Sequence, residues 1–459
     1  AFDRSDFLSP YSSITLSSSM SMPAPVYDGA PLLASRENGT GARLMLNGSM
    51  IDGILAAFDD ELCAEAYAEL IALADSDTDG RLGVPMYDYN SRAGLHNFDT
   101  KVLAAIEARA FLFRVLYEQD VEEGSLDAYR RDVYGYGAIL GIKNFLETMQ
   151  IHYISSDQCR EFGYAMFVAA EVYDWCYPIM NAADKAQIRF AVLTRCCEGT
   201  SVSTDSSLVT YNGVKMEVGY PPSGQGSVAD HGAEAQILRD YLSFALAIYD
   251  EDPTWWNYVA GRVMSDFVPV RNYYFQSGIT QQGVSLYAHH RHYSDLYSAW
   301  ILKTATGKNP YVGMENTVKS IISSLNPTEE AFFSSGDGAI ETPRRDRLPN
   351  NALIAAAIYD DDMLFTWSYD TKGELNFGFG TTTLTPANML IFASQGMKIV
   401  EDKYEELSSI MYNGYPLGQM VTRYRWNDPE AAATYMKLGI KTTAGNIFGG
   451  YNTATVTVK

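Results

Sequence analysis

Apolar side chains recur every three to four residues through most of the chain, which is the spacing of an amphipathic α-helix. The repeat begins at Met50 and continues to about residue 359. Capping residues such as Asp99 and Ser156 and short polar loops interrupt it, so neighbouring helices are expected to run antiparallel. Helices are predicted at 50–74, 99–119, 127–149, 157–178, 182–197, 231–250, 253–271, 284–306, 310–324 and 349–359. This pattern favours an array of helical hairpins that closes on itself.

The pattern changes after about residue 360, where short β-branched and aromatic runs replace the helical repeat. Such runs between polar breaks predict strands. The predicted strands are Met389–Phe392, Met420–Tyr424, Ala432–Leu438 and Thr453–Val458. The chain is therefore expected to have an irregular, surface-hugging N-terminal arm at 1–45, a helical domain at 46–360 and the start of a β-rich domain at 361–459. The β-rich domain is expected to be incomplete in this chain.

The residues that could carry chemistry are concentrated in one stretch, 221–300, which holds four of the six histidines. A glycine-rich loop leads to His231 and then directly into an apolar-periodic segment, so His231 is expected at a helix start. A second polar loop leads to Tyr287, His290 and Arg291 at the head of another helix. Tyr287 and Arg291 are four residues apart and therefore share a helix face.

Two interpretations of these residues stay open. A histidine at a helix start can simply hydrogen-bond a loop carbonyl, and most tyrosines are packing residues. Alternatively, the helix N-terminus beside His231 favours a carboxylate ligand, and positive charge near Tyr287 lowers the pKa of its phenol, which eases proton transfer. His289 and His292 are expected to face solvent or to bind a loop.

The charge balance excludes several classes of function. The 459 residues include 34 basic and 56 acidic side chains, for a net charge of −22. This argues against nucleic-acid partners and against anionic membrane surfaces, and no apolar run is long enough for a membrane span. An anionic substrate stays compatible with the charge, because a local basic cluster can act inside a cleft. The chain begins with Ala1 rather than Met, and a secreted or periplasmic bacterial protein with a removed signal is expected.

Three further signals predict no site. The five cysteines are odd in number and lie in mostly apolar contexts, so buried thiols are expected rather than disulfides. Residues 75–80 resemble the first half of a calcium loop, but Met86 stands where that loop needs a glutamate. Gly224 and Gly226 are too sparse for a phosphate-binding loop, which also needs a lysine.

The central stretch resembles the heparinase II/III-like polysaccharide lyases, and heparinase II most closely. The resemblance extends over roughly residues 95–440, and Arg160 with the helix end Tyr173-Asp174-Trp175 fits it upstream. Its most specific runs are His231-Gly-Ala-Glu234-Ala-Gln-Ile-Leu-Arg239-Asp240, then Ala260-Gly261-Arg262 with Arg271-Asn272, and then Gln282-Gly283 followed by Tyr287, Arg291 and Asp295-Leu296.

The resemblance implies a mainly α fold, in which an (α/α) toroid of helical hairpins is followed by an antiparallel β-sandwich. It places His231 on the family's catalytic His or Asn and Tyr287 on its catalytic tyrosine. One residue is inserted between Gly283 and Tyr287, so the tyrosine assignment depends on Arg291 and Asp295 downstream.

The chain departs from the family near its C-terminal end. Where the family has a His-x-His segment and metal ligands, this chain has Ile447-Phe-Gly-Gly-Tyr-Asn. The family's second histidine and its structural divalent metal are therefore not carried over. No metal ligand is predicted, and the chemistry is expected to need no cofactor.

The resemblance implies β-elimination of uronic-acid polysaccharides, with glycosaminoglycans such as heparan sulfate, hyaluronan or chondroitin sulfate as expected substrates. His231 and Tyr287 are the expected catalytic residues. Glu234, Arg160, Arg291 and His290 are the expected substrate-binding residues. The expected partner is an anionic polysaccharide, and the sequence allows a homo-oligomer.

Three alternatives stay open at this point. A toroid glycoside hydrolase would use two opposed carboxylates such as Asp230 and Glu234. A non-catalytic carbohydrate-binding protein would keep the cleft without turnover. An alginate lyase would share the elimination chemistry but act on another uronate polymer.

Overall fold

The fold is known from a computed structural model. It describes residues 30–81, 86–87, 96–97, 100–119, 122–149, 159–197, 208–211, 214–217, 236–280, 286–332, 348–371, 384–404, 406–414, 419–426, 428–430, 432–438 and 454–458.

Helices dominate the described residues, so the protein is mainly α as predicted. Three π-helical turns directly follow or precede α-helices; they are Val192–Cys197, Gln236–Tyr241 and Val263–Phe267. The α-helices in the described ranges are α1 (Ile51–Phe58), α2 (Ala64–Ala74), α3 (Thr100–Glu118), α4 (Leu126–Thr148), α5 (Cys159–Trp175), α6 (Ala182–Ala191), α7 (Leu242–Ala247), α8 (Pro253–Arg262), α9 (Val268–Phe275), α10 (Leu286–Thr306), α11 (Thr317–Ser323), α12 (Leu348–Tyr359), α13 (Asp362–Asp370) and α14 (Pro386–Ala393).

Capping residues in the sequence set several of these helix starts. The Ser125 hydroxyl accepts the Ala128 amide at the start of α4, and the Asp361 carboxylate accepts the Leu364 amide at the start of α13. Such side chains satisfy amides that have no partner within the helix. Most predicted helices are confirmed within the described residues with modest shifts, except that the first splits into α1 and α2 and the ninth shortens to α11. The predicted start of the sixth helix at His231 lies outside the described residues.

One predicted strand is wrong. Met389–Phe392 lies in α14, which begins at Pro386 behind the N-cap Thr385. A short apolar run suits either a strand or a buried helix, and α14 is buried on almost all sides, so it lacks the polar face that identifies a helix. Helices therefore continue to Ala393, beyond the boundary predicted at residue 360.

Six of the described helices contact one another in a closed series. α3 contacts α5; α5 contacts α7 and the π-helical turn before it; that turn contacts α10; α10 contacts α12; α12 contacts α14; and α14 contacts α3 again. We call this series the ring. Other helices pack on it: α2 and α4 against α3, α8 against α7, and α13 against α12. One continuous apolar core joins the two layers. Cys63, Cys176 and Cys196 are buried thiols within it, as predicted.

The described part of the N-terminal arm is irregular as predicted, and its end at residues 41–45 is buried, whereas Leu32 and most of residues 34–39 are exposed. Leu44, Met45 and Leu46 have at most 1% of their surface exposed. The Trp175 and Trp300 indoles donate hydrogen bonds to the carbonyls of Leu44 and Met45 at 3.0 and 2.7 Å. These polar contacts allow irregular backbone to be buried, and they explain why a Ser-, Pro- and Gly-rich sequence did not predict it.

The larger sheet lies beside α11. Its strands are β5 (Ile410–Asn413), β6 (Gln419–Arg423), β7 (Ala433–Leu438) and β8 (Ala454–Val458), all antiparallel in that order. The last three agree with the predicted strands. The Arg423 guanidinium donates to the Ser323 carbonyl at 2.8 Å, which fixes β6 against the end of α11. Two hairpins, Met86–Tyr87 with His96–Asn97 and Leu208–Tyr211 with Val214–Glu217, complete the described strands.

No helix within the described ranges combines the length and the apolar character needed to cross a membrane.

Candidate functional site

One end of the ring is held by residues 36–46, which we call the clasp. The Arg36 guanidinium donates to the Asp174 carboxylate at 2.7 Å and to the Ala247 carbonyl at 3.1 Å. The Trp300 indole donates to the Met45 carbonyl at 2.7 Å. Asp174 and Ala247 end α5 and α7, and Trp300 lies in the last third of α10. The C-terminal parts of these three helices therefore meet at the clasp.

The other ring helices have the same direction. Arg114, near the end of α3, donates to the Thr40 carbonyl of the clasp at 2.8 Å. Lys303, near the end of α10, donates to the Ile358 carbonyl at the end of α12. The Phe392 ring near the end of α14 packs against Trp300 with centroids 5.2 Å apart. All six ring helices are thus parallel, and their N-terminal ends lie opposite the clasp.

The predicted site positions whose backbone the structure describes fall at this opposite end. Arg160 is the second residue of α5, and Tyr287 is the second residue of α10. His290 and Arg291 follow in the next turn of α10. At a rise of 1.5 Å per residue, Tyr287 lies about 20 Å along the helix from Trp300. The structure therefore brings two separate predicted stretches to one end of the ring.

The structure leaves part of the predicted site undescribed. His231 and Glu234 lie outside the described residues, and so do the side chains of Arg160, Tyr287 and His290. Asp230, the other carboxylate of the hydrolase alternative, also lies outside them. Arg291 is described and has 8% of its surface exposed. The backbone resumes at Gln236, five residues after His231, in the turn that leads into α7.

Arg239 joins the His231 and Tyr287 stretches below this end. It lies in the π-helical turn, and its guanidinium carbon is 4.6 Å from the Phe167 ring centroid of α5 and 5.5 Å from the Tyr297 ring centroid of α10. Its Nε donates to the neighbouring Asp240 at 2.6 Å. Burial raises the pKa of Asp240 to about 6, although Arg239 opposes the shift. The buried cation therefore fixes α5, α7 and α10 side by side.

A pair of buried carboxyl groups, Glu107 of α3 and Glu171 of α5, lies beside this layer. Both have no exposed surface. Glu107 accepts hydrogen bonds from the Thr385 hydroxyl at 2.5 Å and from the Asn388 amide, both at the start of α14. The Asn388 amide also lies 3.4 Å from a Glu171 oxygen. The pair therefore links the three helices at which the ring closes.

Burial changes the protonation of this pair. Desolvation raises the pKa of Glu107 to about 7, against the hydrogen bonds from Thr385 and Asn388. The pKa of Glu171 is raised well above its ordinary value by burial and by the neighbouring Glu107 charge. Two such groups in contact cannot both ionise without a large cost, so they share a proton.

Sequence reasoning missed these two glutamates, although a signal was present. Glu107 is the one carboxyl in Val-Leu-Ala-Ala-Ile-Glu-Ala-Arg-Ala-Phe, where Arg109 is the other charged residue, and Glu171 stands alone in Met-Phe-Val-Ala-Ala-Glu-Val-Tyr. A single carboxyl within an apolar helical run is costly to bury unless another group binds it. That pattern could have predicted a buried polar cluster, but not which helices it joins.

The prediction that His292 faces solvent or a loop is wrong. His292 is 2% exposed, and its Nε2 lies 2.7 Å from the Thr317 hydroxyl. Its Nδ1 lies 3.3 Å from Asp295, which also accepts a 2.7 Å hydrogen bond from Arg271. Burial alone would raise the pKa of Asp295, but Arg271 and His292 lower it below its ordinary range. This hydrogen-bond network fixes the turn of α10 that follows Arg291. Two of its members, Arg271 and Asp295, belong to the sequence runs that resemble the heparinase II/III-like lyases.

The calcium-like turn at residues 75–80 is held by an arginine. The Arg109 guanidinium donates to the carbonyls of Ala74, Ser76 and Thr78 at 2.9, 2.5 and 2.9 Å. Carbonyls of this kind would otherwise be available to a cation, and here they bind Arg109 instead. Within the described ranges, no group of three or more His, Cys, Asp or Glu side chains could hold a metal ion. The described residues thus supply no ligand set for the structural metal that the resemblance implies.

A cavity of about 530 Å³ opens on the flank of the molecule, between α11 and β5. It is lined by acidic Glu315 and Glu406 as well as Lys319, whose ammonium pairs with Asp361 at 2.6 Å. Arg291, the predicted site residue whose side chain the structure describes, does not line it. An excess of carboxylates does not suit an anionic polymer, so this cavity is separate from the predicted site.

Comparison with known proteins adds little. No protein-family model matches the chain, and no curated protein matches it. Among solved structures, a GH127 β-arabinofuranosidase is similar over 91% of this chain and 70% of that chain, with 11% sequence identity and a TM-score of 0.37. A similarity at that TM-score carries no argument about the fold or the activity of this protein.

Proposed function

We propose that this chain is a heparinase II/III-like polysaccharide lyase that cleaves uronic-acid polysaccharides by β-elimination. One observation carries the proposal beyond the sequence resemblance. The helices that begin at Cys159 and Leu286, and the turn that begins at Gln236, all start at the same end of the ring. This supports a shared site for the stretches that carry the resemblance, although more than 120 positions separate Arg160 from Tyr287 in the sequence.

We further propose that the ring is the inner layer of an (α/α) toroid and that strands β5 to β8 belong to a β-sandwich. The closed series of parallel helices and its outer layer support the first assignment. The antiparallel order of the four strands supports the second. In this arrangement the N-terminal ends of the ring helices form the floor of the substrate cleft.

The chemistry of elimination suits such a floor. Removal of the proton at C5 places a second negative charge beside the uronate carboxylate, and a lyase must stabilise that charge in the transition state. Each helix N-terminus carries a partial positive charge, and six parallel helices present these ends together. His231 and Glu234 are proposed to bind the carboxylate, with Arg160, His290 and Arg291 as further substrate-binding residues.

Tyr287 is proposed to move the protons. Its phenolate takes the C5 proton, the electrons of the C5–H bond form the C4–C5 double bond, and the C4–O4 bond breaks. The same phenol then protonates the departing O4, so no oxidant or cofactor is consumed. His231 stabilises the carboxylate while the charge develops. Since the natural substrate would be an extracellular polymer, we propose a secreted or periplasmic location.

The hydrolase alternative receives no support from the described carboxyl groups. A glycosidase needs two carboxyls about 5–10 Å apart with the sugar between them. Glu107 and Glu171 are both bound by the Asn388 amide and have no exposed surface, so no sugar can lie between them. Asp230 and Glu234 stay candidates for that chemistry, and the experiment below separates the two reactions.

The proposal is tested by incubating the protein with heparan sulfate, hyaluronan, chondroitin sulfate and alginate. A lyase produces a conjugated double bond, so ultraviolet absorbance rises with time on at least one polymer. Reducing ends that appear without such absorbance would establish hydrolysis instead. Binding without either product would establish a carbohydrate-binding protein, and activity on alginate alone would replace the glycosaminoglycan assignment.

A further inference from the structure

The outward face of α4 carries a line of exposed apolar side chains. Each of its five members lies three or four residues after the previous one, which is the a/d repeat of helices that pack against another helix. They are Leu126, Tyr129, Val133, Tyr136 and Leu140, with 70, 68, 49, 59 and 55% of their surfaces exposed. We call this line the α4 stripe. It extends about 21 Å along the helix.

The α4 stripe is not needed to hold α4 in place. The opposite face of α4 already packs on α3, where Gly135 and Gly141 allow close contact with Phe113 and Ile106. A solvent-facing helix line is normally polar. Single exposed apolar side chains are common, but a contiguous row over four helical turns marks an interaction surface.

The two leucines of the stripe are placed symmetrically about Val133, whereas Tyr129 lies four residues before it and Tyr136 three residues after it. The sequence Leu-Tyr-Val-Tyr-Leu is the same in both directions, and the two leucines lie seven residues to either side of Val133. A two-fold symmetric interface requires such self-complementarity, because each copy presents the same patch to the other. We propose that the α4 stripe binds the α4 stripe of a second copy of this chain, antiparallel, with Val133 on the two-fold axis.

This pairing matches shape and charge at the positions beside the stripe. It sets Leu126 against the second copy's Leu140, and Tyr129 against the second copy's Gly137, where the Arg109 side chain lies 3.5 Å from the place of a Cβ. It also sets the exposed Arg130 guanidinium over the second copy's Tyr136 ring, a favourable cation–π arrangement.

The size and charge of the surface suit a dimer. The five side chains expose roughly 600 Å² per copy, estimated from the area of large apolar side chains. A standard interface buries about 800 Å² per partner, and the flanking polar residues can supply the difference. Asp127, Arg130, Arg131 and Asp132 balance locally, whereas each chain carries −22. Added salt should therefore strengthen the dimer by screening the repulsion between the two chains.

Light scattering and sedimentation of the full chain test the pairing. The wild type should have twice the mass of one chain. Val133→Glu sets two like charges against each other on the axis and should raise the dimer Kd at least ~30-fold. Ile399→Glu is the matched control, since Ile399 is 47% exposed and lies outside the stripe; it should remain dimeric. A monomeric wild type, or a Val133→Glu dimer of unchanged Kd, would overturn the proposal.

Cysteine crosslinking tests the antiparallel register. Under mild oxidation, Val133→Cys should form a covalent dimer, because that position faces itself across the axis. Leu126→Cys and Leu140→Cys should crosslink poorly alone and efficiently when the two variants are mixed. Efficient crosslinking of Leu126→Cys with itself would contradict the antiparallel pairing. Ile399→Cys should give no covalent dimer under the same conditions.

Discussion

The two ends of the ring are built from different kinds of contact. At the clasp, Asp174 has no exposed surface and accepts the Arg36 guanidinium together with the Arg43 and Leu44 amides, at 2.7 to 2.9 Å. At the other end lie the N-termini of the ring helices with their positive dipole ends, together with the backbone of Arg160, His290 and Arg291. Buried polar groups whose hydrogen bonds are all made within the protein stabilise the fold. Polar groups that must bind a ligand keep some hydrogen-bonding capacity for that ligand. We therefore expect the clasp to stabilise the fold and the opposite end to carry the catalytic residues.

The largest expected effect is at the N-terminal end. Tyr287→Phe removes the only proposed proton-transfer group and should lower kcat by about 10²–10⁴, with no change in Tm. Tyr177→Phe is the matched control near the clasp, because the Tyr177 hydroxyl donates to Glu251 at 3.0 Å. It should change stability slightly and kcat not at all. Equal rates for Tyr287→Phe and wild type would move the chemistry elsewhere.

The clasp should show the reverse behaviour. Asp174→Asn leaves Arg36 and two buried amides with a weaker acceptor, and breaking a buried charge pair costs about 3–5 kcal/mol in free energy of unfolding. Urea unfolding measures that loss, while kcat measured well below the unfolding midpoint should stay normal. Asp250→Asn should cost less, because Asp250 is 30% exposed at its side chain. An unfolding midpoint for Asp174→Asn equal to that of the wild type would show that the clasp does not stabilise the fold.

The carboxyl pair gives a pH dependence of stability. The pKa of Glu107 rises from 4.5 to about 7 on folding, so the folded state holds more protons than the unfolded state in that interval. The contribution of this pair to the free energy of unfolding should therefore be largest below pH 4.5 and should decrease as the pH rises toward 7.

Glu171→Gln is the variant that isolates this effect. The neutral amide of this variant can donate a hydrogen bond to Glu107 but does not itself take up a proton. The decrease in the free energy of unfolding between pH 4.5 and 7 should therefore become shallower. Glu147→Gln, at an exposed position on α4, is the matched control and should keep the wild-type slope. Thermal unfolding at a series of pH values measures both, and identical slopes for the two variants would disprove proton sharing.

Salt should have the smallest effect. Charges inside a partly buried cleft are screened less than exposed charges, for which the screening length is about 8 Å at physiological ionic strength. Because Arg291 is nearly buried, kcat/KM should vary little with salt, and Arg291→Ala should be less active at every salt concentration. A steep decrease for the wild type, with no difference for Arg291→Ala, would indicate an extended basic groove elsewhere.

The sequence predicted the helices well because periodic apolar positions are a local signal. It failed at α14, where Met389–Phe392 is apolar on every side, and at residues 44–46, whose burial depends on Trp175 and Trp300 far along the chain. The stretches around His231 and Tyr287 were recognisable from local residues. The contact between the turn Gln236–Tyr241 and α10 was not, because the arrangement of the ring helices is a tertiary property. The Glu107–Glu171 contact likewise depends on helices that are distant in sequence.

The most direct test of β-elimination uses a uronate polymer that the protein cleaves. The polymer is digested in water enriched in the heavy oxygen isotope. Elimination breaks the C4–O4 bond without adding water, so mass spectrometry should find no heavy oxygen in the new ends beyond exchange at the reducing end. The unsaturated end should be lighter by one water than its hydrolytic counterpart. Tyr287→Phe should form neither product at a measurable rate. Heavy oxygen incorporated at cleavage, with saturated ends, would contradict the account and establish hydrolysis.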